Sequence, residues 1–289
     1  MKTVAIVGPT ASGKSDAALE LALKTNSYIL SIDSLSIYNE IDIASAKPSK
    51  DELNLVKHFG INELNINEHF SVSTFIEIYE KAKSRALEDK KGLIIVGGTS
   101  FYLKTLMDGL SEIPKISDET KEKASEMLEN LDEVYALLKS VDETLHVEPT
   151  DRYRLEKALL IYLQTKMSSK SWFELHPPKP IIRDVDVYNI EISRDVLKQR
   201  IILRTNKMVE MGLIDEVAHL ERLYGRVPNA MKAIGVIEVL EYLDNKISFE
   251  MMVEKIITHT SQLAKRQQTF NSTQFRGIVT LPKTENPTS

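Results

Sequence analysis

The sequence has no cysteine, a single tryptophan and no apolar run near the roughly 20 residues that cross a bilayer. Without cysteine the chain cannot form disulfides, zinc thiolate sites, iron–sulfur clusters or a thiol nucleophile. The apolar run Thr3–Val7 at the start is too short for a signal-peptide core and ends in Gly8-Pro9. We therefore expect a cytoplasmic protein with no membrane segment.

Basic residues are also fewer than acidic ones, at 37 against 42, which gives a formal net charge of -5 over 289 residues. Taken as an average, this charge argues against a nucleic-acid partner, because Lys and Arg drive phosphate binding. The 42% of hydrophobic residues is ordinary for a globular protein. At this length we expect one large domain, or a core with one inserted subdomain.

Strands and helices alternate over the first hundred residues. Short apolar runs bounded by turn residues predict strands at Val4–Val7, Tyr28–Ile32 and Leu93–Val96. Amphipathic or helix-forming stretches between them predict helices at Lys14–Lys24 and Val72–Leu87. This alternation indicates an α/β protein with a parallel sheet, whose ligands bind in the loops at the carboxyl ends of the strands. The loops to search begin at Gly8, Asp33 and Gly97.

The pattern changes to helices alone after the first hundred residues. Helical segments are predicted at Asp118–Leu131 and Asp151–Thr165, and Pro177, Pro178 and Pro180 then interrupt the chain. We interpret residues 112–183 as a helical insertion subdomain. The predicted class is therefore a P-loop NTPase-like parallel sheet core flanked by helices, formed by residues 1–111 and 184–289.

The remaining third of the chain is mostly helical. It contains one alternating strand pattern, Val185–Ile192, and long helical patterns follow. The predicted helices are Arg194–Met211, Leu213–Tyr224 and Met231–Thr269, the last broken near Asn245. A short strand is predicted at Ile278–Leu281 and a loose tail at 283–289.

A phosphate-binding loop follows the first predicted strand. The motif G-x-x-x-x-G-K-[S/T] is matched by Gly8, Pro9, Thr10, Ala11, Ser12, Gly13, Lys14 and Ser15. In such a loop backbone N–H groups and a helix N-terminus converge on phosphate oxygens, Lys14 supplies a positive charge, and the Ser15 hydroxyl can hold Mg²⁺. The sequence thus predicts a site for a diphosphate or a nucleotide such as ATP.

Nucleotide hydrolases and kinases also need an acidic residue at the end of a neighbouring strand. Here the strand Leu93–Val96 ends in Gly97-Gly98-Thr99 and has no carboxylate. This counts against ATP hydrolysis. It leaves a site that binds a diphosphate and stabilises its departure.

Asp33 stands at the carboxyl end of the second predicted strand, on the side of the phosphate-binding loop. A carboxylate there can coordinate Mg²⁺ through water, cap the next helix, or act as a base toward an amine or hydroxyl. Spacing alone leaves these three roles open.

Several further motifs in one order resemble the tRNA dimethylallyltransferases, also called tRNA isopentenyltransferases, over nearly the whole chain. The matching segments are the phosphate-binding loop, Asp33-Ser34 to Tyr38, Asp42 to Pro48, Phe70-Ser71-Val72 with Phe75, Gly97-Gly98-Thr99 with Tyr102, Arg200-Ile201 with Arg204, Gly212 with Glu216-Val217, Ala233-Ile234-Gly235, and Ala264-Lys265-Arg266-Gln267 with Thr269. Without cysteine for a zinc finger, the chain is similar to the bacterial form.

The resemblance implies transfer of a dimethylallyl group from dimethylallyl diphosphate to N6 of the adenine 3′ to the anticodon in tRNA. It implies Asp33 as general base, Thr99 as a second catalytic residue, and Arg204 with the phosphate-binding loop and Mg²⁺ on the diphosphate. Residues implied to contact the tRNA anticodon stem-loop are Asp33, Ser34, Leu35, Ser36, Thr99, Lys121, Tyr153, Arg154, Lys157, Lys265 and Arg266. We expect a monomer.

The charge can then be divided by segment. Residues 112–150 carry a net charge of -7, whereas residues 151–183 carry +4 and residues 251–276 carry +3. The two basic stretches are where the resemblance implies tRNA contact, so the average charge no longer argues against RNA. Three alternatives remain: a small-molecule kinase, a non-catalytic RNA-binding module, and prenylation of free adenine nucleotides.

Overall fold

The computed structural model of the protein describes residues 2–275 and 278–282. Within them a six-stranded sheet has parallel pairing throughout. Its strands are β1 (Thr3–Val7), β2 (Ser27–Ser31), β3 (His58–Phe59), β4 (Gly92–Gly97), β5 (Asp186–Glu191) and β6 (Val279–Pro282). Their order across the sheet is β3-β2-β4-β1-β5-β6. The predicted α/β class with a parallel sheet is confirmed.

The five predicted strands all exist, with ends that differ by no more than one residue. The two-residue strand β3 was not predicted, because so short a segment carries no alternation. It forms its ladder through Ile29 and Leu30 of β2. The predicted tail at 283–289 lies outside the described residues.

Twelve α-helices and one 3₁₀ turn (Asn229–Lys232) occur in the described part of the chain. The helices are α1 (Lys14–Thr25), α2 (Lys50–Leu55), α3 (Val72–Glu88), α4 (Ser100–Asp108), α5 (Asp118–Met127), α6 (Leu131–Val141), α7 (Arg152–Thr165), α8 (Ser169–Leu175), α9 (Arg194–Glu210), α10 (Leu213–Tyr224), α11 (Val236–Leu243) and α12 (Phe249–Gln274).

Two predicted helices are wrong in extent. The helix predicted at Asp118–Leu131 ends at Met127. A separate helix, α6, begins at Leu131, and Asn130 caps it by accepting a hydrogen bond from the backbone N–H of Glu133 at 3.3 Å. The long pattern Met231–Thr269 breaks at Gly235 (φ 94°) as well as at Asn245 (φ 56°). Both residues adopt backbone conformations that a helix cannot contain.

The sheet core brings three loops to one edge. β1 and β4 are buried along almost their whole length, and β4 lies between β1 and β2. The small residues Ala18 and Ala22 of α1 let that helix pack closely on the sheet. Because the three strands are parallel neighbours, the loops beginning at Gly8, Asp33 and Gly97 leave the sheet side by side.

The chain divides into two compact units. One comprises the residues up to Thr105 together with those from Ile182 onward, and the other is Leu106–Ile181. The second unit is helical and has its own apolar core, which includes Leu128, Val134 and Leu155. None of the described helices is long and apolar enough to cross a membrane.

Candidate active site

The phosphate-binding loop ends in a helix whose N-terminus is left open. Gly13 precedes α1 with φ 80°, and no side chain caps the first turn of that helix. The N–H groups of that turn are therefore available to an anion, together with the positive end of the helix dipole. Lys14 is buried, and its ammonium donates to the carbonyl of Pro9 at 3.1 Å.

Two cations lie close together in this site. Burial, and to a smaller degree the neighbouring Arg204, lower the pKa of Lys14 to about 8, whereas the Asp33 carboxylate acts in the opposite direction. Burial also lowers the pKa of Arg204, and Asp33 again opposes the shift. Removing a cation from water disfavours its charged form. A bound polyanion would restore that charged form, so the site is suited to a diphosphate.

Side chains from two distant helices fix the shape of the phosphate-binding loop. Arg204 of α9 donates to the Thr10 hydroxyl at 3.1 Å, and Arg200, one turn earlier, donates to the Ser12 carbonyl at 3.3 Å. Gln267 of α12 accepts from the Thr10 backbone N–H at 2.8 Å. The loop is thereby held by tertiary contacts in addition to its own turn geometry.

Asp33 follows β2 and forms a turn. Its Oδ1 accepts from the backbone N–H groups of Leu35 at 2.9 Å and Ser36 at 3.3 Å. The helix-capping role left open by the sequence is wrong, because the next helix, α2, is capped by Ser49. The Asp33 side chain is half-buried and faces the same cavity as Lys14.

A cavity of about 220 Å³ joins these groups. Its polar wall includes Thr10, Lys14, Ser15, Asp33 and Arg204. Its apolar wall is formed by Leu19, Ile29, Ala46, Pro48, Ile61 and Val96. The volume lies below the roughly 300 to 1,000 Å³ of pockets for drug-sized ligands. A short hydrocarbon attached to an anionic group matches both the volume and the two kinds of wall.

The third loop of the site begins at Gly97. A Cβ at Gly97 would lie 2.7 Å from the side chain of Ile32, the residue before Asp33. Only glycine at position 97 therefore allows the two loops to approach this closely. A Cβ at Gly98 would meet the amide nitrogen of Gln267. Thr99 is half-buried, and Val96 and Gly97 form the cavity wall at this strand end.

An aromatic cluster packs behind this loop. The ring of Tyr102 lies 4.8 Å from that of Phe75 and 5.1 Å from that of Phe70. Burial, followed by Tyr38 and Asp33, raises the pKa of Tyr102 to about 12, so its hydroxyl stays protonated at neutral pH.

Oxygen groups suited to Mg²⁺ border a second cavity of about 650 Å³, and Ser15 lines both this cavity and the first. Ser15 is exposed, and Asp16 and Glu52 line both cavities. Mg²⁺ keeps several waters and takes a few oxygen ligands along with substrate phosphates. This oxygen set fits such an ion, although among the described residues no group of three or more acidic or histidine side chains could hold a metal by itself.

The sequence-predicted RNA contacts fall into separate groups. Next to Asp33, Ser34 is exposed, Leu35 half-buried and Ser36 buried, with the Ser36 hydroxyl 3.1 Å from that of Ser31. On α12, Lys265 and Arg266 are exposed while Gln267 turns to the phosphate-binding loop.

The helical unit carries the remaining predicted contacts. Tyr153, Arg154 and Lys157 are exposed on α7, and the Lys157 ammonium lies 5.4 Å from the centre of the Tyr153 ring. Lys121 is exposed but pairs with Asp118 at 2.6 Å.

Arg152 belongs to the basic stretch 151–183, which the resemblance implies as a tRNA contact, but its side chain is used inside the helical unit. Its guanidinium donates to the Leu128 carbonyl at 2.7 Å and so ties α7 to the end of α5. Reversing this charge would therefore disturb packing inside the helical unit, and Arg152 is a poor probe of RNA binding.

Sequence reasoning also missed the residues that hold the site from a distance. The sequence showed these residues only as parts of motifs. Their contacts join positions far apart in the chain, separated by 188 residues for Arg200, 257 for Gln267 and 172 to 174 for Glu216. No local spacing encodes such contacts, because they depend on which helices pack beside the sheet.

The family model for IPP transferase matches residues 36–274. A relative called tRNA dimethylallyltransferase, from Sulfurimonas denitrificans, is 54% identical over 98% of this chain and 96% of its own length.

Two solved structures are also similar. The tRNA delta(2)-isopentenylpyrophosphate transferase of Staphylococcus epidermidis is 30% identical, with a TM-score of 0.69 over 98% of this chain and 93% of that one. A eukaryotic dimethylallyltransferase acting on tRNA is 25% identical, with a TM-score of 0.86 over 98% and 74%. These neighbours confirm the P-loop NTPase-like fold. The match along most of the chain, together with the 54% identity, means that this protein belongs to the IPP transferase family.

Proposed function

We propose that this protein transfers a dimethylallyl group from dimethylallyl diphosphate to N6 of the adenine 3′-adjacent to the anticodon in tRNA. The observation that carries the proposal is the position of the Asp33 carboxylate. It shares one small cavity with Lys14 and Arg204, the two cations at the open end of α1. A base and an anion site are thus within reach of one short substrate.

The diphosphate would bind at the polar wall. The N–H groups at the start of α1, together with Lys14 and Arg204, compensate the charge that develops as diphosphate leaves. Ser15, with diphosphate oxygens and water, would hold Mg²⁺, which supplies further positive charge at the leaving group. The five-carbon chain would lie against the apolar wall near Ile29 and Val96.

The transfer itself is a displacement at the allylic carbon. The N6 nitrogen forms a bond to that carbon, the carbon–oxygen bond breaks, and the electron pair leaves with diphosphate. An aryl amine is a weak nucleophile, so it must be oriented and must lose a proton as the bond forms. Asp33 takes that proton. Oδ1 accepts the two backbone hydrogen bonds of the turn, and Oδ2 is the oxygen we assign to the amine.

The target adenine must leave its stack in the anticodon loop to reach Asp33. Enzymes that modify a base extrude it into a pocket for the same steric reason. Exposed Lys265 and Arg266 near the site, and Arg154 and Lys157 on the helical unit, are the cations we assign to the tRNA backbone. For a tRNA-modifying enzyme the expected location is the cytoplasm.

The proposal is tested with radiolabelled dimethylallyl diphosphate, Mg²⁺ and three acceptors: an unmodified tRNA with adenines after its anticodon, AMP and ATP. Label on the tRNA alone supports it. Label on AMP or ATP alone would favour prenylation of free nucleotides, and phosphate transfer from ATP with no prenyl transfer would favour a kinase.

A further inference from the structure

One wall of the 220 Å³ cavity is built by the segment of residues 40–48, which lies between β2 and α2. Ser45, Ala46, Lys47 and Pro48 line the cavity together with Thr10, Lys14 and Ser15 of the phosphate-binding loop. The segment has no regular secondary structure, so its position depends on what holds it from outside.

Glu216, in the first turn of α10, holds this segment by its backbone. One carboxylate oxygen accepts from the N–H groups of Asp42 at 2.8 Å and Ile43 at 2.7 Å. The other accepts from the N–H of Ala44 at 2.9 Å. Three consecutive N–H groups thus converge on one carboxylate. Hydrogen bonds to an ionised group are about twice as strong as neutral ones.

A second contact joins the far end of α10 to the same segment. The Tyr224 hydroxyl donates to the Glu40 carboxylate at 2.7 Å. Within the segment, the Lys47 ammonium donates to the Tyr38 carbonyl and the Asp42 carboxylate, both at 2.7 Å, and its side chain is 4% exposed. Because Lys47 lines the cavity and binds Asp42, fixing residues 42–44 also fixes the residues that line the cavity.

We propose that Glu216 is a positioning residue, which holds residues 40–48 against the phosphate-binding loop and so sets the affinity of the site for the prenyl diphosphate. This inference rests on the proposed function, because dimethylallyl diphosphate is the ligand whose binding it describes. Glu216 itself does not line the cavity and acts through the backbone of residues 42–44.

The test compares Glu216→Gln with Asp215→Asn. Both variants lose one negative charge in the first turn of α10, so they change its helix dipole interaction alike. Only Glu216→Gln replaces an oxygen that accepts hydrogen bonds from residues 42–44, since those bonds go to Glu216 and the neighbouring Asp215 is exposed. We expect Glu216→Gln to raise KM for dimethylallyl diphosphate about tenfold, with kcat within about threefold and unchanged tRNA affinity. Asp215→Asn should match the wild type.

Amide hydrogen exchange of the substrate-free protein gives the second readout. Exchange at residues 42–44 should accelerate in Glu216→Gln and stay unchanged in Asp215→Asn. A wild-type KM in folded Glu216→Gln would overturn the inference, as would unchanged exchange at residues 42–44. A lowered melting temperature with both readouts unchanged would mark Glu216 as a stabilising residue only.

Tyr224→Phe provides a milder variant if Glu216→Gln does not fold. It removes the bond to Glu40 alone, and we expect KM to rise about twofold to threefold; an unchanged KM would then contradict the inference. Absence of prenyl transfer by the wild-type protein would instead remove the proposed function, while the exchange measurement would still decide whether Glu216 holds the segment.

Discussion

At the scale of single residues, the chemistry depends on Asp33 having a structural and a chemical role in one carboxyl group. Oδ1 closes a turn with Leu35 and Ser36, which fixes the group at the strand end. The sequence predicted its position because a strand end is a local feature. It left the role open, since capping and proton transfer both use a carboxylate.

Asp33→Asn separates these two roles. Asparagine keeps an oxygen acceptor for the turn but cannot take the proton, so kcat should fall about 10²-fold or more. Affinity for tRNA should stay within a few-fold. Single-turnover transfer and a tRNA binding assay measure the two quantities. A variant with wild-type turnover would mean that Asp33 is not the base.

Lys14 gives the site a pH dependence. Its pKa is about 8 in the free protein, so its charge is present below pH 8 and is lost as the pH rises. Phosphate esters lose their second proton near pH 6, so the ligand's charge changes little above neutrality. The affinity for dimethylallyl diphosphate should therefore weaken as pH rises from 7 to 9.5, by up to about tenfold per unit above pH 8.

Titration calorimetry over that range measures the effect. Lys14→Met should bind weakly with little pH dependence, because the titrating group is gone. A pH-independent wild-type affinity would contradict the assignment of Lys14 as the ammonium that binds diphosphate.

At the scale of elements, strands that are buried on both faces could be predicted well, because they form short continuous apolar runs. Helix ends were less predictable. The break near Asn245 was predicted from the sequence, but the break at Gly235 was not, since the pattern around it otherwise remains apolar at helical spacing. The contacts of α9, α10 and α12 with the loops could not be predicted. They join residues more than 170 positions apart, and tertiary packing alone brings them together.

The loop after β4 allows a paired prediction on stability and binding. Gly97→Ala should lower the free energy of unfolding by about 1 to 3 kcal/mol, because its Cβ would press on the backbone and side chain of Ile32. Gly98→Ala meets only the flexible end of Gln267 and should cost less. By displacing that amide from Thr10, however, it should raise KM for dimethylallyl diphosphate.

Urea unfolding and steady-state kinetics distinguish the two variants. Equal losses of stability in both would contradict the assignment of backbone atoms as the neighbours of Gly97 and of a side-chain end alone as the neighbour of Gly98.

At the scale of the whole molecule, net charge is a poor guide to the partner. The acidic stretch 112–150 more than accounts for the deficit of -5, while the basic stretches lie elsewhere in the chain. Composition gives the sign of the net charge, but the distribution of charge among segments is what bears on the partner. Arg152 adds a further lesson, because one of the basic side chains is used inside the helical unit.

Affinity for tRNA should fall steeply with salt despite the acidic net charge, because each phosphate contact releases counterions. Reversing Arg154, Lys157, Lys265 or Arg266 to Glu should weaken binding and reduce the slope of log affinity against log salt by roughly 0.7 to 0.9 per lost contact. Lys24→Glu is the matched control, since Lys24 lies in the last turn of α1, away from the phosphate-binding end.

Filter binding from 50 to 300 mM salt measures both effects. A shallow slope for the wild-type protein, or equal weakening by the control, would contradict the assignment of these cations to the tRNA backbone.

The most direct measurement is nucleoside analysis by mass spectrometry of an unmodified tRNA after incubation with the protein, dimethylallyl diphosphate and Mg²⁺. We predict one dimethylallyl group on N6 of the adenine 3′ to the anticodon, with no product when that adenine is replaced by guanine or when Asp33 is replaced by Asn. An unmodified adenine after incubation with the wild-type protein would contradict the account.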